Sequence, residues 1–151
     1  MHIDSTGSLV KKLHWIKKPV YYYVGVVRHP NGQSPAAPLF EYLSSDHTAP
    51  SIGMVIDVFL HRYKIVHKVH PDIFEVVVDF SFAMLNAVCS AFNVMTLSRY
   101  LQVVWEAMQS GTADNAAKFT QLRICRAHSA HAFALRAKKF NVCFPIAKRL
   151  F

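Results

Sequence analysis

The sequence predicts an α/β domain built on a mixed sheet, antiparallel in its first strands and parallel in its later ones, with helices on its flanks. Three observations carry this reading. Residues 20–27, Val-Tyr-Tyr-Tyr-Val-Gly-Val-Val, are β-branched or aromatic at every position but one, the composition of a central strand. Residues 28–38 hold three prolines and an Asn31-Gly32 pair ahead of a second apolar run, so the chain turns back as a hairpin with a long loop. From residue 50 onward helical and strand patterns alternate, as they do when helical crossovers join parallel strands.

At its start the chain places an apolar Ile3 before Asp4 and a polar Ser5-Thr6-Gly7-Ser8 turn. This reads as the last step of a strand that ends in an acid. Strands ordinarily run about five or six residues, so the expected strand is a stub or the chain begins late in its fold. Lys11, Lys12, Lys17 and Lys18, interleaved with His14 and Trp15, form a basic connector expected to be a solvated loop. Residues 20–27 form the central strand and residues 39–43 the return strand. The polar run Ser44-Ser45-Asp46-His47-Thr48 then precedes a helix over 50–63, with Pro50 in its first turn and Ile52, Val55, Ile56, Phe59 and Leu60 on one face.

A basic, histidine-rich link follows and is broken by Pro71. Residues 73–78 are the next strand. The run ends abruptly in Asp79, Ser81 stands where a helix would be capped, and an apolar pattern of helical period continues to about residue 92. A carboxylate at the mouth of a buried strand is costly unless it is solvated, hydrogen-bonded or next to a cation. The alternative is that Asp79 is itself only a turn or cap residue. Residues 95–108 form a further helix with Leu97, Tyr100, Leu101, Val104 and Met108 on one stripe, closed by Gly111. Residues 112–118 read as loop, 119–125 as a short strand and 127–140 as a helix, with Pro145 interrupting the tail. There is no internal repeat and no low-complexity segment.

A chain of 151 residues is expected to be one domain, and its 52% hydrophobic content is ample for a core. No run approaches the roughly 18 apolar residues of a membrane helix, and the N-terminus lacks the basic-then-apolar layout of a secretory signal. The expectation is a soluble, intracellular protein, nuclear in a eukaryote, that makes no membrane contact. Cys89, Cys125 and Cys143 are odd in number and set among apolar neighbours, which fits a reducing compartment and no disulfide framework. The formal net charge of +8 points to a polyanionic partner, nucleic acid ahead of acidic lipid surfaces. No acidic residue follows Asp114, so the C-terminal part carries most of the excess.

Two sets of residues can carry chemistry. If the strand ending at Asp79 lies parallel and adjacent to the one ending at Asp4, the two carboxylates emerge about 5 Å apart. Such a pair repels unless a cation sits between them, which makes Mg²⁺ or Mn²⁺ with hard oxygen ligands the physical solution. The same layout serves phosphodiester cleavage, activating water and stabilising the leaving oxygen. The second set is Cys125 and His128, a C-x-x-H at a strand-to-helix turn, with His131 and Cys89 as further candidate ligands. It fits a zinc site if four ligands converge, and otherwise a packed cysteine beside a hydrogen-bonded histidine.

Four segments in order, Ile3-Asp4-Ser5-Thr6-Gly7, Tyr42-Leu43-Ser44-Ser45-Asp46-His47-Thr48, Val78-Asp79-Phe80-Ser81-Phe82-Ala83 and Ile124-Cys125-Arg126-Ala127-His128, resemble the catalytic core of Mutator-like and related cut-and-paste transposases. The resemblance implies a ribonuclease-H-like fold and metal-dependent DNA strand cleavage and transfer. It also implies a first Asp after the opening strand, a second after the fourth, a C-x-x-H downstream and a third acid beyond a helical insertion. On that mapping Asp4 and Asp79 are the catalytic acids and metal ligands, and Cys125 with His128 is the C-x-x-H. The third acid has no counterpart, because no Asp or Glu follows Asp114; Glu106 lies on the wrong side of the C-x-x-H and reads as a solvent-facing helix residue.

The expectation for residues 1–151 is therefore a partial transposase domain, truncated at both ends, with two of three acids and little catalysis of its own. DNA is the expected partner, and apolar surface left uncovered favours a homo-oligomer. The rival expectation is a non-enzymatic, basic DNA-binding or interaction protein that uses the C-terminal segment. A zinc-stabilised module on Cys125 and His128 is the third.

Overall fold

The computed structural model describes residues 1–7, 18–29, 31–32, 34–111 and 119–139, the side chains of 137–139 excepted. The lysine connector up to Lys17, the loop at 112–118 and the tail with Cys143 and Pro145 lie outside the described residues.

In chain order the elements are β1 (His2–Thr6), β2 (Tyr21–Val27), β3 (Ala37–Ser44), α1 (Ala49–His67), β4 (Glu75–Val78), α2 (Phe82–Asn93), α3 (Leu97–Ser110), β5 (Gln121–Ile124) and α4 (Arg126–Lys139). Among the described residues they form an α/β arrangement, a five-stranded sheet in the order β3-β2-β1-β4-β5 flanked by four helices. β1 pairs with β2 and β2 with β3 antiparallel, while β1 pairs with β4 and β4 with β5 parallel. The hairpin and the crossovers thus fall where turn residues and periodicity place them.

One face of the sheet makes the core. Ile3 is buried while His2 and Asp4 on either side of it are exposed, the alternation of a strand packed on one side only. Ile3, Tyr23, Val76 and Val78 from the sheet meet Ile52 and Ile56 of α1 and Met84, Ala87 and Val88 of α2. In β2, Gly25 leaves the space that the Phe40 ring of β3 fills, and a side chain there would overlap it. α3 is tied to β5 by the Leu122 N–H, which donates to the Tyr100 hydroxyl at 3.0 Å. The Asn93 side chain pairs with both backbone groups of Thr120, joining the end of α2 to the start of β5. No described residue of α4 belongs to the core, and Phe133 and Leu135 on that helix are exposed.

Several boundaries differ from the sequence-based ones for identifiable reasons. β1 is not a stub ending at Asp4. It continues to Thr6, because Asp4, Ser5 and Thr6 pair with Val24, Tyr23 and Tyr22. α1 runs four residues beyond its expected end, taking in Lys64 and His67; lysine is a good helix former and positive charge suits a helix C-terminus. It closes at Lys68, in the left-handed conformation, whose N–H donates to the Lys64 carbonyl at 2.9 Å. β4 starts at Glu75 rather than 73, and β5 covers only 121–124 of the expected 119–125. On α3, Tyr100 and Ala107 face inward, but Leu101 and Met108 of the expected stripe are exposed. Each lies one residue, about 100° of helix, past an inward position. No helix among the described residues is long and apolar enough to cross a membrane.

α2 ends on Val94, 90% exposed and left-handed at φ 53°. A β-branched residue is strained there, by roughly 1–2 kcal/mol. Val94→Gly is expected to stabilise the fold by about 1 kcal/mol once glycine's greater chain entropy is set against that relief. Urea denaturation checks this, and a destabilised variant would contradict the assigned cap.

Candidate functional site

The acids come together because β1 and β4 are parallel neighbours. His2 pairs with Val77 and Ile3 with Val78, so Asp4 and Asp79 stand one step beyond the last pair at the same end of adjacent strands. Asp79 is not the cap of α2. Ser81 takes that role: its side chain accepts the Met84 N–H at 3.4 Å, while the Asp79 carbonyl accepts the Ser81 N–H at 2.9 Å and closes the turn. The Asp79 side chain is thereby left free of capping.

Its two oxygens have different surroundings. Oδ2 accepts the Ser5 hydroxyl at 3.2 Å. Oδ1 is buried and meets no hydrogen-bond partner among the described residues. Burial raises the Asp79 carboxyl above the ordinary carboxylate value; the Ser5 hydrogen bond opposes this, the Asp4 charge adds to it, and His128 and His47 pull it back down. Asp4 is more open, and its Oδ1 accepts its neighbour's Ser5 N–H at 2.8 Å. His128 Nε2 stands 4.0 Å from Asp4 Oδ1, an ion pair only with the ring protonated.

His2, Asp4, Val24, Val77, Asp79 and His128 line a cavity of about 400 Å³ that Cys125 also borders. It opens where β1 and β4 end, against the start of α4. The Cys125 N–H donates to the Val78 carbonyl at 2.7 Å, which fixes the C-x-x-H beside the second acid. Of the other zinc candidates, Cys89 lies fully buried and His131 is exposed on α4. Among the described residues no three His, Cys, Asp or Glu side chains form a group placed to hold a metal. Larger grooves run between α1 and the α2–α3 junction, about 600 Å³, and between β3 and α1, about 580 Å³. Neither contains a pair of acids.

Two carboxylates side by side, one with an unpartnered oxygen, are hard oxygen donors of the kind a divalent cation takes. Asp4 and Asp79 are the residues that could hold it.

Sequence reasoning gave Ser81 only a helix cap and assigned Ser5, Tyr23 and His47 no role at the site. The Tyr23 hydroxyl meets His47 Nδ1 at 2.5 Å, and His47 Nε2 meets Ser81 Oγ at 3.0 Å. Burial pushes the Tyr23 hydroxyl up to about 12, so it stays protonated. With the Tyr23 hydroxyl donating to Nδ1, Nε2–H donates to Ser81; in the other tautomer both directions reverse. Tyr23 also stacks on Tyr42 at 4.4 Å between ring centroids. This chain of contacts runs from the middle of the sheet to the cap that fixes the turn carrying Asp79. No local pattern ties residues 23, 47 and 81 together, since only the sheet order does so.

Comparison with known protein families, curated proteins and solved structures finds no match for the chain. The functional reading rests on the residues and their geometry.

Proposed function

We propose that this chain is part of a ribonuclease-H-like, metal-dependent DNA strand-cleaving and strand-transfer domain of the transposase kind that its motifs resemble. Asp4 and Asp79 are its catalytic acids. The observation that carries this is the parallel β1–β4 pairing, which sets Asp4 beside Asp79 with one Asp79 oxygen unpartnered. The strand order β3-β2-β1-β4-β5 with an antiparallel β2 is consistent with that fold.

In this reading Asp4 and Asp79 hold Mg²⁺ or Mn²⁺. The cation, when bound, supplies Lewis-acid stabilisation of charge on a phosphodiester oxygen. Ser5 orients Asp79 through its hydroxyl, and the Tyr23–His47–Ser81 contacts hold the turn on which Asp79 sits. No acid follows Asp114 in this sequence, so two carboxylates offset the desolvation of cations that three would hold more firmly. Weak cation binding and little turnover by these 151 residues alone follow from that.

The test is thermal denaturation against Mn²⁺. At a tenfold excess over Kd the native state gains about 1.4 kcal/mol, a rise of about 3–6 °C for a domain of this size. The Asp4→Asn/Asp79→Asn double variant is expected to show none. An equal rise in that variant sinks the assignment of the two acids as ligands.

A second reading, a non-enzymatic DNA-binding protein, is favoured by the absence of acids after Asp114 and by exposed Arg126 and Arg136 on α4. It requires salt-sensitive DNA binding that survives loss of both acids.

A further inference from the structure

Phe80 follows Asp79 directly, and Phe82 is the first residue of α2. Phe80 is 52% exposed and Phe82 71%, with ring centroids 6.0 Å apart and planes tilted by 51°. Two aromatic rings this exposed leave a sizeable apolar area unburied. They cap no helix and fill none of the core, and they stand at the same end of the sheet as the paired acids.

Three features converge there. The acids suit a cation and, through it, a phosphate. α2 begins at this point with no acidic residue in its first turn, so the positive end of its dipole is not offset by a side chain and favours an anion. The rings supply exposed aromatic surface next to both in the chain, Phe80 directly after Asp79 and Phe82 at the first position of α2. In a chain of net charge +8, a group that is anionic at one end and a flat aromatic at the other is a nucleotide. A base inside a duplex has both faces covered by its neighbours, so only an unpaired base can stack on the rings.

We propose that Phe80 and Phe82 form a stacking platform for an unpaired base of the DNA strand whose phosphate lies at Asp4 and Asp79. The proposal rests on the nuclease reading for the position of the phosphate, and it adds a preference: a strand end with an unpaired nucleotide over blunt duplex.

The experiment uses the 151-residue chain and two DNA duplexes of equal length, one blunt and one with a single-stranded overhang carrying 2-aminopurine. Affinity and fluorescence are measured in EDTA and in Mn²⁺. The wild-type chain is expected to prefer the overhang by about tenfold, within the range one stacked base contributes, and to quench 2-aminopurine. Phe80→Ala/Phe82→Ala removes exposed rings, so the fold survives. The variant is expected to lose the preference and the quenching while keeping wild-type affinity for the blunt duplex and its salt dependence. A preference that persists in the variant overturns the proposal. So does wild-type binding that is equal for the two DNAs or absent. If the substitutions instead dissociate an oligomer and leave DNA binding unchanged, the rings are a self-association surface and the proposal fails. The Mn²⁺ response of the Asp4→Asn/Asp79→Asn variant reports separately on the acids, so failure of the metal site is distinguished from failure of the platform.

Discussion

Asp79→Asn is expected to make the protein more stable at neutral pH and indifferent to Mn²⁺. The physical reason is the position of the wild-type carboxylate, with Oδ1 buried and unpartnered and Asp4 as a like-charged neighbour. Burial, the largest cause, raises its pKa in the native state above the ordinary value of 3.8. A carboxyl shifted in this direction contributes stability that is fully present below pH 3.8, with both states protonated, and lost as pH rises through the native value. Above the raised native value the ionised side chain therefore strains the fold. Asparagine is neutral throughout, can still accept the Ser5 hydroxyl, and offers an N–H₂ to Asp4.

Relief of one buried, unsatisfied oxygen is worth about 1 kcal/mol or slightly more, a rise of about 2–4 °C. The advantage should shrink as pH falls through the raised native value and vanish below 3.8. Urea denaturation of both proteins between acid and neutral pH measures it. A variant less stable than wild type at pH 7, or an advantage undiminished in acid, would show that the acids are not coupled as described. Stability withheld at a site and recovered on mutation is what a binding position shows when its ligand is absent from the solution.

Tyr23→Ala should damage the fold more than any other single change at the site. The ring is 0% exposed at the centre of the sheet, stacks on Tyr42 and carries the hydroxyl that holds His47. Truncating a buried aromatic costs about 3–5 kcal/mol, against a total of about 5–15 kcal/mol for a domain, and leaves His47 Nδ1 without its Tyr23 partner. The melting temperature should fall by more than about 6 °C. Tyr23→Phe separates the two contributions: it keeps the ring and removes one hydrogen bond, for about 1 kcal/mol. If Tyr23→Ala and Tyr23→Phe were equally damaging in urea denaturation, the hydroxyl and not the packing would be the main support. If neither exceeded about 1 kcal/mol, the network would not hold the turn at all.

The two acids illustrate how much of the site is legible from residues alone. Asp79 is marked locally, by a β-branched run that stops at it and a serine two residues on that caps a helix. Asp4 is marked less clearly, because its strand continues through paired residues as far as Thr6. Antiparallel pairing to β2 extends past the point where parallel pairing to β4 ends, and a one-strand reading of the sequence cannot separate those two limits. The C-x-x-H is visible as a spacing, while its place beside Asp79 depends on the Cys125 N–H bonding the Val78 carbonyl across two parallel strands. α1 shows the opposite failure: Lys64 and His67, which read as a link beyond the helix, are its last turn, since polarity marks exposure and not helix termination.

By itself the sequence determined the element types, the hairpin and the crossovers, and it offered Asp4 and Asp79 as candidates. These follow from local chemistry: β-branching, proline and Asn-Gly turns, a serine cap and the 3.6-residue period. Only the tertiary structure decided that β1 lies between β2 and β4. That order sets Asp4 beside Asp79, joins Ser5 to its carboxylate, and brings Tyr23, His47 and Ser81 into one hydrogen-bonded chain. Strand order is chosen by burial of the whole apolar face at once, and no window of residues contains that sum.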